Sequence, residues 1–186
     1  MKTELKGTGV AMVTPFNKDR TIDYQGLSNL IEYLINGEVE FLVSIGTTGE
    51  SAVLSIEEKN KVVAFSKEKI NGRVPFVVGI GGNNTAAIVT QISTTDFTGV
   101  DAILSVSPAY NKPTQEGIYQ HFKAIAEVCT VAIILYNVPG RTSSNISAET
   151  TLRLANDFAN IVAVKEASGD MEQIMTILRD RPKGFK

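Results

Sequence analysis

The chain has 186 residues, of which 43% are hydrophobic and 20% charged, a composition typical of globular proteins with a substantial core. Its 18 basic and 20 acidic side chains leave a net charge of −2, so no basic excess indicates a nucleic acid or an anionic membrane as partner. One cysteine, Cys129, and one histidine, His121, exclude a disulfide framework, a thiolate cluster and a histidine-rich metal site, and both are interpreted as helix residues without chemistry. No apolar run reaches membrane-spanning length and the start lacks a signal-peptide core, so we expect a cytoplasmic enzyme or binding domain.

Six short apolar segments recur at intervals of roughly 30 residues, the size of one strand with its crossover helix. They are rich in valine and isoleucine and mostly lack polar alternation, as expected for strands buried on both faces of a parallel sheet. In chain order the segments are GVAMVTPF (9–16), FLVSIGTTGE (41–50), VPFVVGIGG (74–82), DAILSVSP (101–108), VAIILYNVP (131–139) and IVAVKEAS (161–168).

Amphipathic patterns predict a helix after each strand. Ser55 and Glu58 have the spacing of a capping box, and Ser147 and Asp170 are placed to begin two later helices. The third predicted helix is the weakest because it is rich in threonine. The predicted helical segments are 23–37, 55–72, 84–97, 114–129, 147–157 and 170–180.

Strict alternation of strands and helices predicts an α/β fold with a parallel sheet, either an open doubly wound sheet or a (β/α)₈ TIM barrel. No G-x-G-x-x-G motif follows the first strand, and polar residues gather at the carboxyl ends of several strands, which favours the barrel. A barrel needs eight units, so we expect residues 1–186 to form a barrel domain that is incomplete at the C-terminus. Residues 179–186 would lead into a missing seventh strand, leaving the first and sixth strands as unpaired edges; a six-unit open sheet would likewise expose its edges.

Polar residues at three strand ends are candidates for a functional site. Thr47 and Thr48 lie between two glycines in GTTGES, a pattern that can aim backbone N–H groups and hydroxyls at a carboxylate or phosphate, although it is also common in plain turns. Tyr110 and Arg141 follow the fourth and fifth strands and are also compatible with ordinary loop residues. Tyr136 lies inside an apolar run, where a buried hydroxyl needs a partner.

Lys165 ends the sixth apolar segment. A lysine there could simply extend its amine into water. If the barrel closes, however, Lys165, Tyr136, Tyr110 and Thr47 face one mouth, and an amine beside phenols suits Schiff-base chemistry. We expect an apolar layer around Lys165 to lower the pKa of its amine, because burial disfavours the cation.

The motifs VTPF, GTTGES, QEGIYQHFKAIAE, LYNVPGRT and VKEASGD, in this order and spacing, resemble the dihydrodipicolinate synthases over essentially the whole chain. These are class I aldolase-like enzymes of the N-acetylneuraminate lyase superfamily. The resemblance implies condensation of pyruvate with aspartate semialdehyde to 4-hydroxy-tetrahydrodipicolinate, in lysine and diaminopimelate biosynthesis. It implies no metal or cofactor beyond a covalent lysine imine with pyruvate. It also implies a homotetramer of barrels, each followed by a helical C-terminal region that is absent here.

The resemblance assigns a role to each candidate residue. Lys165 would form the imine with pyruvate, and Tyr136 would relay protons. Thr47 would link Tyr136 to Tyr110, which in the family reaches in from a neighbouring subunit. Thr47 and Thr48 would hold the pyruvate carboxylate.

Two other functions stay open. Lyases of N-acetylneuraminate and of 2-keto-3-deoxy sugar acids share the lysine and the first tyrosine, and a non-catalytic fragment is the alternative of a different class. GTTGES and Arg141 favour the synthase, because Arg141 would bind the carboxylate of the semialdehyde.

Inhibition by lysine is not expected. Lysine-inhibited members line a cleft between subunits with polar and aromatic side chains, and this chain retains part of that set: Ser51, Ala52 and Asn83. Other positions of the cleft carry unsuitable residues: Ile56, Lys59, Ala87 and Ala109. They offer a bound lysine neither an anionic partner nor an aromatic wall, and Lys59 adds a positive charge.

Overall fold

The structure, a computed structural model, describes residues 5–186, in which strands and helices alternate. The strands are β1 (Gly9–Ala11), β2 (Phe41–Ser44), β3 (Phe76–Gly79), β4 (Ala102–Val106), β5 (Ala132–Asn137) and β6 (Ile161–Glu166). The helices are α1 (Tyr24–Asn36), α2 (Ile56–Ile70), α3 (Thr85–Thr94), α4 (Gln115–Val128), α5 (Pro139–Thr142), α6 (Ala148–Asp157) and α7 (Met171–Asp180). Every predicted strand and helix is present, each somewhat shorter than its pattern, whereas α5 and a 3₁₀ turn at Ser51–Val53 were not predicted.

A first compact unit comprises residues 5–79 and 97–102. Its strands β1, β2 and β3 lie parallel in chain order, with Val43 opposite Ala11 on one side and Val77 on the other. Helices α1 and α2 contact each other and contribute apolar side chains to the core of this unit. The fully buried side chains include Leu27, Ile31, Leu42, Ile70 and Phe76.

A second compact unit comprises residues 80–96 and 103–186. It contains β4, β5 and β6, again parallel and in chain order, together with α3 to α7. Its core is built of isoleucine, leucine and phenylalanine from the strands and from α4. Fully buried members are Ile103, Ile118, Phe122, Ile125, Ile133 and Leu135.

The predicted helix caps are confirmed. Ser55 Oγ accepts from Glu58 N at 3.2 Å while Glu58 Oε2 accepts from Ser55 N at 2.8 Å, so the capping box is complete. Ser147 Oγ and Asp170 Oδ1 accept from backbone N–H groups in the first turns of α6 and α7, each at 3.1 Å. Caps of this kind stabilise a helix by about 1 kcal/mol each.

Lys186 corrects the expectation that the sixth strand is a bare edge. Its N–H donates to the Val162 carbonyl at 3.0 Å, and its carbonyl accepts from Val164 N at 3.1 Å. One residue that bonds in this way to both neighbours of a residue on the next strand, here Ala163, shows the pattern of a parallel ladder. Residues 179–186 therefore lead, as predicted, to the position of a next strand, and Lys186 already pairs with β6 there.

His121 lies buried on α4, where α3 packs against it. Its Nδ1 is 2.8 Å from Thr85 Oγ1, and its Nε2 has no hydrogen-bond partner among residues 5–186. Because burial disfavours the imidazolium, the pKa of His121 is lowered from 6.5 to about 4. The side chain thus serves packing, in line with the interpretation of the sequence.

We expect the free energy of unfolding to fall as the pH drops from about 6.5 to about 4, because the unfolded chain takes up a proton on His121 that the folded chain excludes. The loss is of order 2–3 kcal/mol over that range. Urea unfolding at pH 7 and pH 4.5 measures it, with His121→Leu as the control in which this contribution is absent. An identical pH dependence of the two proteins would contradict the prediction.

Candidate functional site

Tyr136 and Lys165 stand opposite each other in β5 and β6. The Lys165 Nζ lies 4.8 Å from the centroid of the Tyr136 ring, within the range of a cation–π contact. Tyr136 is only 7% exposed. The structure therefore brings together the two residues that the sequence placed at the ends of consecutive strands.

The expectation that an apolar layer buries Lys165 is wrong. On the same side of β6, Ala163 is buried, but Lys165 is exposed. Lys165 is the penultimate residue of the strand, so it lies past the point where the core covers that side. What the structure offers its amine is an aromatic face rather than an enclosed apolar pocket.

The GTTGES segment forms the predicted tight turn in the first unit. Gly49 N donates to the Gly46 carbonyl at 3.1 Å, and Thr47 and Thr48 project from the turn as exposed residues. The buried Thr14 stabilises the turn, because its Oγ1 donates a hydrogen bond to the Gly49 carbonyl at 2.7 Å. The two threonines are thus presented to solvent on an anchored loop.

The residue before this turn, Ile45, has a strained backbone that the sequence did not reveal. Ile45 has a φ of 57°, a left-handed conformation that is a real outlier for a β-branched residue, and it is buried. Its carbonyl packs against Gly79, where a Cβ would lie 2.2 Å from the Ile45 oxygen. Glycine at the end of β3 is therefore what allows this turn to close.

We expect Gly79→Ala to lower the free energy of unfolding by about 1–3 kcal/mol or more, because the new methyl group overlaps backbone atoms of Ile45. Gly46→Ala is the matched control, since a Cβ at Gly46 meets nothing within 4 Å. Urea denaturation of both variants measures the difference. Equal stabilities of the two variants would show that the close approach at Gly79 is not a constraint.

Tyr110 and Arg141 lie in neighbouring loops of the second unit. Tyr110 is 86% exposed, and its backbone N donates to the Thr142 carbonyl at 3.1 Å. Arg141 is also exposed and belongs to the one-turn helix α5. This helix begins at Pro139, and proline is favoured at the first position of a helix. The sequence indicated a loop here, and the structure makes it a short helix tied to Tyr110.

A polar pair next to Tyr136 and Lys165 was missed: the buried Asn137 and the half-buried Glu166. Asn137 is completely buried, and its Nδ2 donates to both carboxylate oxygens of Glu166 at 3.0 and 2.9 Å. Its Oδ1 accepts from Ile146 N at 2.9 Å. The available signal was an asparagine and a glutamate inside apolar strands, each directly after a candidate residue.

Within residues 5–186 no group of three histidine, cysteine, aspartate or glutamate side chains is arranged to hold a metal ion. The candidate residues divide between the two units. Thr47 and Thr48 belong to the first, whereas Tyr110, Tyr136, Arg141 and Lys165 belong to the second. In the same residues, none of the helices combines the length and apolarity needed to cross a membrane.

A model of the dihydrodipicolinate synthetase family matches residues 4–186 of the chain. The chain belongs to this family. The 4-hydroxy-tetrahydrodipicolinate synthase of Flavobacterium psychrophilum is 56% identical over 179 residues, which cover 96% of this chain and 61% of that protein.

Solved structures of dihydrodipicolinate synthases are also similar. The Bacillus anthracis enzyme matches with a TM-score of 0.93 and 42% identity, over 98% of this chain and 62% of its own. The chloride-inhibited enzyme of Acinetobacter baumannii, complexed with pyruvate, matches with a TM-score of 0.89 and 41% identity, over 96% of this chain and 62% of its own.

These matches confirm the predicted fold class. The strands and helices are six βα units of the family's (β/α)₈ barrel. The chain spans about three fifths of the length of the relatives it matches: 61% of the curated Flavobacterium protein and 62% of the Bacillus structure.

Proposed function

We propose that the protein is a 4-hydroxy-tetrahydrodipicolinate synthase, a lyase that condenses pyruvate with aspartate semialdehyde in lysine and diaminopimelate biosynthesis. The observation that carries this proposal is the primary amine of Lys165, 4.8 Å from the centroid of the buried Tyr136 ring on the adjacent strand. A primary amine beside a phenol has the two functions that imine chemistry requires, a nucleophile and a proton donor. The family membership and the pyruvate complex of the Acinetobacter relative support the same substrate.

In this mechanism the free amine of Lys165 attacks the ketone carbon of pyruvate, and the resulting carbinolamine loses water to give the iminium. The phenol of Tyr136 relays the protons of these steps. Loss of a methyl proton converts the iminium into an enamine, whose carbon attacks the aldehyde of the semialdehyde. The amine of that substrate then closes the ring on the imine carbon, which releases the product and frees Lys165.

The remaining candidates complete the proposed site. The exposed hydroxyls and backbone N–H groups of Thr47 and Thr48 would hold the pyruvate carboxylate, with Thr47 passing protons onward. Tyr110, at 86% exposure, would reach into the site of a neighbouring subunit in a homotetramer. Arg141 would pair with the carboxylate of the semialdehyde.

We propose that the enzyme works in the cytoplasm. We also propose that it needs no metal or cofactor, because the imine itself withdraws the electrons from the reacting carbon. The sugar-acid lyases are not proposed, since GTTGES and Arg141 suit a small substrate with a carboxylate close to the reacting carbon. The relatives described above carry synthase names, which supports the same choice.

Reductive trapping tests the proposal. The protein is incubated with pyruvate and then with borohydride, which reduces an imine to a stable secondary amine, and the modified peptide is identified by mass spectrometry. We expect a single pyruvate-derived adduct on Lys165. Modification at another lysine, or none, would contradict the proposed function.

Lysine is expected to leave the enzyme uninhibited, because Ala87 and Ala109 give its ammonium and its stem no partner and Lys59 repels its charge. Losing even one charge-assisted hydrogen bond weakens binding by about 1.5–3 kcal/mol. Initial rates of condensation with increasing lysine measure this, with pyruvate held at a fixed concentration. Substantial inhibition by lysine below about 1 mM would contradict the prediction. A Kd of about 1 mM corresponds to a binding free energy of about 4 kcal/mol.

A further inference from the structure

The contact between Tyr136 and Lys165 depends on a shift in the register of β5 and β6. Ile133 lies opposite Ile161, but the next residue, Ile134, lies opposite Ala163, so Val162 is an extra residue in β6. If the ladder continued without this shift, Tyr136 would stand opposite Val164. Lys165 would then be opposite Asn137.

A slip of β6 by one residue against β5 would change more than the distance between Lys165 and Tyr136. Side chains alternate between the two faces of a sheet, and residues opposite each other share a face, so a slip by one residue moves a side chain to the other face relative to its neighbours. Only the shifted register puts the amine of Lys165 on the same face as the ring of Tyr136.

The next pair along the two strands, Asn137 and Glu166, holds this register on the opposite face. Their side chains are joined by two hydrogen bonds, from Asn137 Nδ2 to the two carboxylate oxygens at 3.0 and 2.9 Å. Asn137 is completely buried and its Nδ2 also donates to Asn145 Oδ1 at 2.8 Å, so a slip would break its two bonds to Glu166 where water cannot replace them. The hydrogen bonds therefore oppose the slip.

The direction of these bonds is determined by the surrounding backbone. Ile146 N can only donate, so the atom of Asn137 that it reaches at 2.9 Å is Oδ1, which leaves Nδ2 facing Glu166. Glu166 also accepts from Ser168 N and from Gln173 Nε2, each at 2.8 Å. The carboxylate thus faces donors only, and ties β6 both to β5 and to α7.

We propose that Asn137 and Glu166 are positioning residues for imine formation: the hydrogen bonds from the buried Asn137 to Glu166 hold the β5–β6 register that places Lys165 against Tyr136. This inference rests on the proposed function for its catalytic consequence, whereas the register itself is a property of the fold. Neither side chain touches the substrate in this role.

Three variants test it: Asn137→Asp, Glu166→Gln and the two combined. Asn137→Asp sets two carboxylates against each other, and Glu166→Gln sets an amide donor against the donors of Asn137 and Gln173. In the double variant an acid at 137 accepts from an amide at 166, so donor and acceptor are exchanged and this pair is restored, while one of the other two donors, Ser168 N or Gln173 Nε2, still faces the amide.

At pH 8 we expect each single variant to form the borohydride-trapped adduct about 100-fold more slowly than the unmodified protein, since small misplacements of reacting groups have effects of this size. The double variant should recover part of the rate, because it restores the pair across the two strands. Asn137→Asp should also approach the unmodified protein as the pH is lowered, because a protonated Asp can donate to Glu166 as Asn137 does. A residue needed only for stability would show neither the exchange nor this pH profile.

Inter-strand nuclear Overhauser effects between the backbones of Tyr136 and Lys165 report the register without any catalysis. We expect them to be lost or weakened in the single variants and to return in the double variant. Ile118→Ala, a cavity variant in α4, is the control for lost stability and should keep both the register and the trapping rate.

Single variants that retain the Overhauser effects and are trapped at the unmodified rate would overturn the inference. If the unmodified protein itself is not trapped on Lys165, the proposed function fails. In that case the Overhauser effects still decide whether Asn137 and Glu166 hold the register.

Discussion

Replacing Lys165 with alanine is expected to abolish the pyruvate adduct trapped by borohydride, and replacing it with arginine is expected to do the same. Alanine removes the nucleophile. Arginine retains the positive charge and the contact with the Tyr136 ring, but its guanidinium stays protonated and has no free amine to attack a ketone. Because both variants should fall to background, the pair separates nucleophilic chemistry from an electrostatic role of the charge.

Trapping with pyruvate and borohydride, followed by mass spectrometry of the peptides, measures the loss. Lys123→Ala is the control, since Lys123 lies in the same unit and its Nζ is 3.9 Å from Glu127 on the surface of α4. It should be trapped as the unmodified protein is. An adduct of undiminished amount in Lys165→Ala would falsify the assignment of Lys165 as the imine-forming residue.

Replacing Arg141 with alanine is expected to lower kcat/KM for aspartate semialdehyde by about 10- to 100-fold, the effect of losing one charge-assisted hydrogen bond of about 1.5–3 kcal/mol. The rate of imine formation with pyruvate should change little, because Arg141 is proposed to contact only the second substrate. The structure is compatible with this division, since Arg141 is exposed on α5 while Lys165 contacts Tyr136 in the sheet.

Two measurements on the same variant decide this prediction, the trapping rate with pyruvate and the steady-state condensation with both substrates. Arg153→Ala is the control: Arg153 pairs with Glu116 at 2.7 Å and stacks on the Tyr119 ring, away from the proposed site. Equal losses in both steps for Arg141→Ala would make Arg141 a structural arginine of the α5 turn.

Much of the fold could be predicted because its causes are local. The apolar runs around Val43, Val77 and Ile133 are buried strands, and the Ser55–Glu58 capping box begins α2 where the pattern indicated. Lys165 and Tyr136 could be identified as neighbours because consecutive strands of such a fold lie side by side and end at the same edge.

Other features could not be predicted, since their causes lie in residues distant in the sequence. The left-handed Ile45 is tolerated because Gly79, on another strand, leaves room for its carbonyl. Lys165 was expected to be buried and is exposed, because the extent of the core at the end of β6 depends on packing that no local pattern contains.

The sequence by itself determined the order of strands and helices, the family and the residue types available for chemistry, because apolar spacing, capping residues and motifs are written in consecutive positions. Only the tertiary structure decided which side chains meet. A single extra residue at Val162 puts Lys165 rather than Val164 opposite Tyr136, and the next pair, Asn137 and Glu166, is joined by two hydrogen bonds. Register is set by pairing across strands, and a shift of one residue leaves the composition and periodicity of each strand unchanged.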